Sequence, residues 1–223
     1  MVLWQRAFPS GLAQLRRYAD RGLLVDLPSP HHVAIVYRAL LRSHPDAVTQ
    51  CGWRTILVGT NVARDAVIAS VTAAMITASA APAVFADQTL NDADRIPLVI
   101  DVVYDGQDLE TIAQHLGCST MEVVALHTAP TYAVAFLGFC RGFPYLAGLD
   151  ARLVGVPRLS TPRLRVPAGS VAIANDQTGV YPIDTPGGWR ILGHSTTVLF
   201  DPSISPPTAL TVGSPVRFRS VQP

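Results

Sequence analysis

The chain has 223 residues, a formal net charge of +1 and an apolar fraction of 49%, which suits one large or two small domains with a buried core. A balance this close to neutral argues against a nucleic-acid-binding protein, because such proteins carry clustered excess base. All 17 Lys and Arg positions are arginine, so the sequence excludes a Walker A phosphate loop, a Schiff base and a catalytic lysine, and any anion must be bound by arginine, backbone N–H groups or a partner.

The first third of the chain alternates short apolar runs with helical patterns. The spacing predicts a strand at residues 23–27, an amphipathic helix with an apolar stripe from Val33 to Leu41, a hairpin over residues 47–59 and a helix at residues 64–78. The order β-α-β-β-α, with a further strand near residues 97–104, predicts an α+β sandwich related to the ferredoxin-like motif.

Residues 66–86 are uncharged for about the length of a membrane span. Alanine, serine and threonine dominate this segment and Pro82 interrupts it, so we expect no transmembrane helix and no membrane partner. The N-terminus lacks the apolar region and cleavage pattern of a secretory signal, and a cytoplasmic protein is therefore expected.

The middle of the chain contains two predicted capped helices. Residues 79–96 have the composition of a connector, and a strand follows at residues 97–104. Asp108 is predicted to cap a helix over residues 109–116, which Gly117 ends. A capping box at residues 119–122 opens a second helix that ends near His127.

Beyond this point the sequence indicates short strands separated by Pro and Gly turns, which predicts a closed or nearly closed β architecture. Turn formers, arginines and aromatic rings are denser over residues 127–202 than core packing requires, and such loops often carry binding residues. The motifs are, in chain order, HT-(x)3-Y at 127–132, GFCRGFPYL at 138–146, TPRLRVPAGS at 161–170, QTGVYP at 177–182 and PGGW at 186–189.

These five motifs, in this order, resemble the allophanate hydrolase subunit 1 family. That family includes the B-type subunit of bacterial 5-oxoprolinase, a histidine-kinase inhibitor protein and one half of the carboxyltransferase region of urea carboxylase. The resemblance is strong over residues 97–202 and weak in the N-terminal third. It implies a cyclophilin-like β-barrel at residues 91–223, after an N-terminal α+β domain at residues 1–90.

The resemblance also implies one component of a heteromeric ATP-dependent amidohydrolase that opens 5-oxo-L-proline to L-glutamate. An unstrained lactam is a poor electrophile, and phosphorylation of its carbonyl oxygen creates a leaving group. The implied cofactors are ATP and Mg²⁺, and the implied partners are companion subunits of the A type and of the C type, which is also called allophanate hydrolase subunit 2. Two alternatives within the family stay open: an allophanate hydrolase subunit 1, and a non-enzymatic inhibitor of a sensor histidine kinase.

The resemblance places two candidate catalytic residues. His127 is expected to transfer a proton or polarise a carbonyl, and Arg163 to bind an anion. On residue type alone, a helix C-terminal histidine or an Arg-x-Arg strand is more often structural. The candidate substrate-binding residues supply rings, cations and neutral polar groups in the same motifs: Tyr132, Phe139, Arg141, Phe143, Arg158, Arg165, Gln177, Thr178, Tyr181, Gly187, Gly188, Trp189 and His194.

Several positions depart from the family pattern. Arg141 stands where the family has proline, and His194 stands where it has arginine, so a changed substrate or lost catalysis would first show there. The three cysteines are widely spaced and odd in number, which predicts reduced thiols without a disulfide frame. Cys140 is more readily a small apolar residue than a nucleophile. No His, Cys, Asp or Glu spacing predicts a metal site.

Overall fold

The structure is a computed structural model that describes residues 2–19, 22–47, 49–59, 62–80 and 96–222. The chain divides into two compact units, residues 1–84 and 85–223. The predicted boundary between residues 90 and 91 lies outside the described residues, as does most of the predicted connector, so this boundary stays a prediction.

The first unit is a five-stranded antiparallel sheet with two helices. Its elements are β1 (Val2–Phe8), β2 (Gly11–Tyr18), β3 (Gly22–Asp26), α1 (Pro30–Ser43), β4 (Thr49–Cys51), β5 (Thr55–Gly59) and α2 (Arg64–Ala80). The strand order is β1-β2-β3-β5-β4. Alternate residues of β2, β3 and β5 form one core with Val36 and Leu40 of α1 and Val71 of α2, because strand side chains alternate between the faces of a sheet.

The predicted strand, helix, hairpin and helix of this unit are confirmed, and they keep the ferredoxin-like neighbours β3-β5-β4. The further strand that was predicted for this sheet, near residues 97–104, was assigned to the wrong unit. It belongs to the second unit, and β2 pairs with β3 instead. Hydrophobic periodicity identifies a strand, but only long-range pairing decides which sheet receives it.

The second unit is a seven-stranded sheet with two helices and a separate two-stranded ribbon. Its elements are β6 (Leu98–Val102), α3 (Leu109–Leu116), α4 (Thr120–Thr128), β7 (Tyr132–Leu137), β8 (Pro144–Ala147), β9 (Arg163–Val166), β10 (Ser170–Ala174), β11 (Gln177–Val180), β12 (Thr185–Gly187), β13 (Arg190–His194) and β14 (Pro215–Ser220). The large sheet has the order β13-β10-β11-β8-β7-β14-β6, and β12 pairs with β9.

A backbone bridge joins the two ends of the seven-stranded sheet. The N–H of Val103, just after β6, donates to the carbonyl of His194 at 2.9 Å, and the N–H of His194 donates back at 2.9 Å. This pair links β6 to β13, the two strands at opposite ends of the sheet order. The predicted α+β class and barrel-like closure are therefore confirmed.

Helices α3 and α4 match their predicted bounds. Gly117 takes a left-handed φ of 66° and ends α3, and the hydroxyl of Ser119 accepts a hydrogen bond from the N–H of Glu122 at 3.2 Å, as a capping box requires. The predicted cap at Asp108 was wrong in one respect. Asp108 occupies the N-cap position, but its side chain makes no cap hydrogen bond, because its carboxylate is bound by groups elsewhere in the barrel.

Strands β10 and β11 separate the inner face of the barrel from its outer face. Val171 and Val180 pair with each other and join the inner core, whereas Ala172 pairs with Gly179 on the outer face. A Cβ atom at Gly179 would lie 2.7 Å from the carbonyl oxygen of Pro144 and 3.0 Å from the ring of Phe143. Glycine at this position therefore lets an aromatic ring approach the strand closely.

No helix within the described part of the chain is long and apolar enough to span a membrane. The uncharged segment at residues 66–86 lies partly in α2 and partly outside the described residues.

We expect Gly179→Ala to lower the free energy of unfolding by about 1–3 kcal/mol, because the added methyl group overlaps backbone that cannot move freely. Gly188→Ala is the matched control, since a Cβ atom there meets only ordinary contacts at 3.7 Å and should change stability by less than about 0.5 kcal/mol. Urea denaturation of both variants measures the difference, and equal effects would contradict the close-approach interpretation.

Candidate functional site

The outer face of the barrel carries an aromatic cluster formed by six rings: Phe136, Phe139, Phe143, Tyr145, Tyr181 and Trp189. The ring of Phe143 lies at its centre, with centroid distances of 5.0 Å to Tyr145, 5.1 Å to Tyr181 and 5.4 Å to Trp189, all in edge-to-face geometry. The rings come from β7, β8, the loop between them and the residues that follow β11 and β12. Gly179 of β11 lies against the ring of Phe143. The cluster can pack closely on this strand because glycine has no side chain.

Phe139 is the most exposed ring of the cluster. It is 61% exposed and has a positive φ of 66°, a conformation that bulky residues rarely adopt. A tight turn holds it there, because the N–H of Cys140 donates to the carbonyl of Gly138 at 2.8 Å. The turn thus presents an aromatic ring to solvent directly beside a buried one, which suits contact with a ligand or partner.

Two arginines add positive charge to this face. The guanidinium of Arg158 lies 5.8 Å from the ring centroid of Trp189, within cation–π distance. Its segment is fixed on both sides, by the N–H of Asn175 donating to the carbonyl of Val156 at 2.7 Å and by the N–H of Leu159 donating to the carbonyl of Gly188 at 2.7 Å.

Arg158 and Arg141 are both exposed, and neither forms an ion pair with a carboxylate within the described ranges. Phe139, two residues before Arg141, joins that loop to the cluster. The Arg158 guanidinium is therefore available to bind an anion beside the aromatic cluster, and the exposed Arg141 guanidinium is available in the loop that carries Phe139.

The glycines of the predicted PGGW loop shape the rim of the cluster. Gly187 lies against the Tyr181 hydroxyl, where a Cβ atom would overlap the oxygen. The carbonyl of Gly188 accepts the hydrogen bond from the N–H of Leu159. The structure therefore brings together seven of the predicted site residues on this face: Phe139, Phe143, Arg158, Tyr181, Gly187, Gly188 and Trp189. Arg141 lies in the loop that carries Phe139, and Gln177 lies in β11.

His127 lies inside the barrel, and its tautomer follows from its partners. The hydroxyl of Thr178 donates to the carbonyl of Ala172 at 3.0 Å, so it has no second proton for the imidazole. The Nε2–H of His127 must therefore donate to Thr178 Oγ1 at 2.8 Å, and Nδ1 accepts from the Tyr104 hydroxyl at 2.7 Å. The result is a one-way chain of hydrogen bonds from Tyr104 to the backbone of β10.

Burial keeps this histidine neutral. His127 has 0% exposure, its ring stacks on Phe218 with centroids 4.5 Å apart, and desolvation lowers its pKa to about 3. The Tyr132 hydroxyl donates to the backbone carbonyl of His127 at 2.7 Å. His127, Tyr132 and Thr178 have no exposed surface for a ligand, and their positions favour an internal role that anchors α4 in the barrel. A catalytic role for His127 stays a prediction.

Arg163 is committed to a buried carboxylate. One of its terminal nitrogens donates to both oxygens of Asp108 at 2.9 and 2.8 Å, and the other donates to the carbonyl of Trp189 at 3.2 Å. Asp108 also accepts from the N–H of Ile191 at 2.7 Å and lies 3.6 Å from Arg190. The predicted anion-binding residue is thus occupied by an internal anion, whereas Arg158 and Arg141 are not.

Two further predicted residues pair away from the aromatic cluster. Arg165 binds Asp184 with an Nε–Oδ2 distance of 2.7 Å. The Nδ1 atom of His194 lies 2.8 Å from Asp105 at the bridge that closes the barrel. Both pairs are exposed to solvent, so they contribute little to stability.

Three residues that organise this region were not among the predicted site residues. Tyr145 joins Phe143 and Trp189 in the cluster, Tyr104 completes the His127 chain, and Asp108 holds Arg163. Tyr145 lies within one of the five motifs, which is a usable signal. Nothing in the sequence indicates the partners of Tyr104 or Asp108, because their contacts are 23 and 55 residues away.

The described residues contain no group of three or more His, Cys, Asp or Glu side chains arranged to hold a metal ion. The three cysteines are free thiols. Burial raises the pKa of Cys51 to about 12 and also raises the pKa of Cys140, so neither favours the thiolate form that a nucleophile needs.

Comparison with known proteins places these motifs in a family context. The family described as carboxyltransferase domain, subdomain C and D, matches residues 13–210. The chain is 52% identical over 122 residues to the B subunit of 5-oxoprolinase from Escherichia coli O157:H7, an alignment that covers 53% of this chain and 56% of that protein. The chain therefore spans about half the length of the curated relatives it matches.

The chain also resembles several solved structures. The conserved uncharacterized protein PH0987 from Pyrococcus horikoshii is 31% identical, with a TM-score of 0.55, and the match covers 93% of this chain and 97% of that one. The urea amidolyase of Kluyveromyces lactis is 17% identical, with a TM-score of 0.70, over 100% of this chain and 16% of that one. The second likeness shows a shared fold.

We expect the stability contributed by His127 to depend on pH. Its pKa is about 3 in the folded chain against an ordinary value of 6.5, so below about pH 6.5 the unfolded chain binds a proton that the folded chain does not. The contribution is therefore complete above about pH 6.5 and falls by up to about 1.4 kcal/mol per pH unit as pH drops toward 3.

Urea denaturation of the wild type and of His127→Gln at several values between pH 7 and pH 4.5 tests this. The wild type should be the more stable at pH 7, and the gap should narrow as pH falls. A gap independent of pH would mean that His127 binds a proton as readily in the folded chain as in the unfolded chain, which would contradict the prediction.

We expect Arg163→Met to lower the free energy of unfolding by about 3–5 kcal/mol, because it removes the main partner of the buried Asp108 carboxylate. The double variant Asp108→Asn with Arg163→Met should recover part of that loss, since the buried charge is then gone. Chemical denaturation of both single variants and the double variant measures the coupling. Strictly additive losses would contradict the pairing.

Proposed function

The chain belongs to the family of carboxyltransferase domains, subdomain C and D, and from that membership we propose that it is the B-type subunit of a heteromeric 5-oxoprolinase, which opens 5-oxo-L-proline to L-glutamate at the expense of ATP. The observation that carries the proposal is the 52% identity to a protein named as the B subunit of 5-oxoprolinase. We further propose that the protein works in the cytoplasm, where a reaction that consumes ATP has its cosubstrate.

The outer face of the barrel supports this substrate class. 5-Oxoproline is a small, nearly flat ring with one carboxylate. An aromatic ring offers such a molecule a stacking surface, and a guanidinium binds a carboxylate through two parallel hydrogen bonds. Arg158 lies over Trp189, so a cation and the stacking surface occupy the same face. Arg141 follows the exposed Phe139 in the same loop.

We propose ATP with Mg²⁺ as the cofactor of the assembled complex. The sequence of this chain has no lysine to hold a phosphate. We therefore assign the nucleotide and the metal to companion subunits of the A and C types, and we assign binding and orientation of the cyclic amide to this chain.

The decisive experiment is to co-purify the chain with its companion subunits and measure ATP-dependent formation of glutamate from 5-oxoproline, with allophanate as the competing substrate. Turnover of 5-oxoproline supports the proposal. Turnover of allophanate alone would assign the chain to allophanate hydrolase, and no turnover together with tight binding to a histidine-kinase domain would assign it to the inhibitor class.

We expect Arg158→Gln in the assembled complex to raise the KM for 5-oxoproline about 10- to 100-fold, which is the range of one lost charge-assisted hydrogen bond. Arg217→Gln is the matched control, because Arg217 is an exposed arginine on β14 of the same unit. Steady-state kinetics at saturating ATP measures both variants. An unchanged KM in Arg158→Gln would remove this residue from the site.

A further inference from the structure

Gln177 is a buried amide whose oxygen has no partner. The side chain belongs to a residue that is 8% exposed, and its Oε1 atom has no hydrogen-bond partner within the described part of the chain. An unmet buried acceptor costs stability, and most such groups in folded proteins are satisfied. The fold therefore retains a buried acceptor here that no donor in the described part of the chain satisfies.

The position of Gln177 connects it to the aromatic cluster. Gln177 pairs with Ala174 across β10 and β11, and Ala174 packs in the same outer core as Phe143 and Trp189. Because strand residues alternate, Gln177 shares the outer face with Gly179, whereas Thr178 points inward to His127. The amide thus lies on the same face as the rings.

The cation Arg158 is anchored near the same turn. Val156, two residues before it, is bridged to Asn175 in the turn that joins β10 to β11. The far side of the segment is tied to Gly188 through Leu159. Arg158 is therefore held between the turn that precedes Gln177 and the ring of Trp189.

We propose that the carboxamide of Gln177 recognises the amide edge of a cyclic amide ligand. Its Oε1 accepts a hydrogen bond from the ring N–H, and its Nε2 donates to the ring carbonyl oxygen, while Arg158 binds the carboxylate. This inference rests on the proposed function and specifies how the same site selects its substrate.

The chemistry of the two groups is complementary. In a five-membered lactam the N–H and the C=O are held side by side on one edge, because the ring enforces the cis amide. A primary carboxamide presents an acceptor and a donor side by side in the same way. The two edges therefore form a pair of parallel hydrogen bonds, and a rotation about the soft terminal torsion of Gln177 exchanges which atom faces the ligand.

A binding role for Gln177 has a stability signature that a structural role lacks. If Gln177 serves a ligand, replacing it with methionine of similar volume removes an unmet acceptor and stabilises the free protein. We expect Gln177→Met to raise Tm by about 2–4 °C, in line with the usual conflict between stability and function at binding sites. The same measurement shows whether the variant is folded.

The test compares two ligands in the assembled complex: 5-oxo-L-proline and its lactone analogue, in which oxygen replaces the ring N–H. Calorimetric titration of the wild-type complex should show at least a roughly tenfold preference for the lactam. In Gln177→Met that preference should fall to about onefold to threefold. Gln114→Met, a substitution at an exposed glutamine of α3, should keep the wild-type preference.

The outcomes separate the two proposals. If the wild-type complex binds the lactam and Gln177→Met keeps the full lactam preference, the recognition role is wrong and the proposed function stands. If the wild-type complex binds neither compound, both are overturned. Gln177→Glu supplies a second variant: it keeps an acceptor for the ring N–H but loses the donor, so it should bind the lactam more weakly while still preferring it to the lactone.

Discussion

The alternation of side chains on β10 and β11 decides which polar residues of this barrel can meet a ligand. Gln177 and Thr178 are neighbours in one motif, yet the first faces outward toward the rings and the second faces inward toward His127. Such alternation cannot be relaxed locally, because a one-residue slip would move every apolar side chain of the strand to the wrong face. The motif therefore places neighbouring polar side chains on opposite faces of one sheet.

Because the sequence has no lysine, all cationic side chains apart from histidine are arginines. Some of these arginines pair with a carboxylate and others do not. Asp108 is buried, so it needs strong partners and takes Arg163 together with Arg190. Arg158 lies beside the aromatic cluster, Arg141 lies in the loop that carries Phe139, and neither has a carboxylate partner in the described ranges. Arg163, the arginine that the motif suggests for anion binding, already has an internal carboxylate partner, so its role in binding an external anion stays a prediction.

His127 shows why a motif does not by itself assign a role. A motif match at a helix terminus predicts a catalytic histidine, but the structure gives this side chain two hydrogen bonds and no solvent. Desolvation then favours the neutral imidazole, since a buried positive charge has no compensating carboxylate among the described contacts of the ring. These contacts favour a role for His127 as an anchor of α4, and its catalytic role stays a prediction.

The sequence by itself determined the local structure and the fold class. Periodicity and capping residues located the four helices and the strands β3 to β7, such as the helix that Gly117 ends, because these signals act over a few residues. Tertiary structure alone decided that the strand at Leu98–Val102 closes the barrel, that Asp108 binds Arg163 instead of capping its helix, and that Gln177 keeps an unmet oxygen. Each of these depends on groups brought together from distant parts of the chain, and no local pattern encodes such partners.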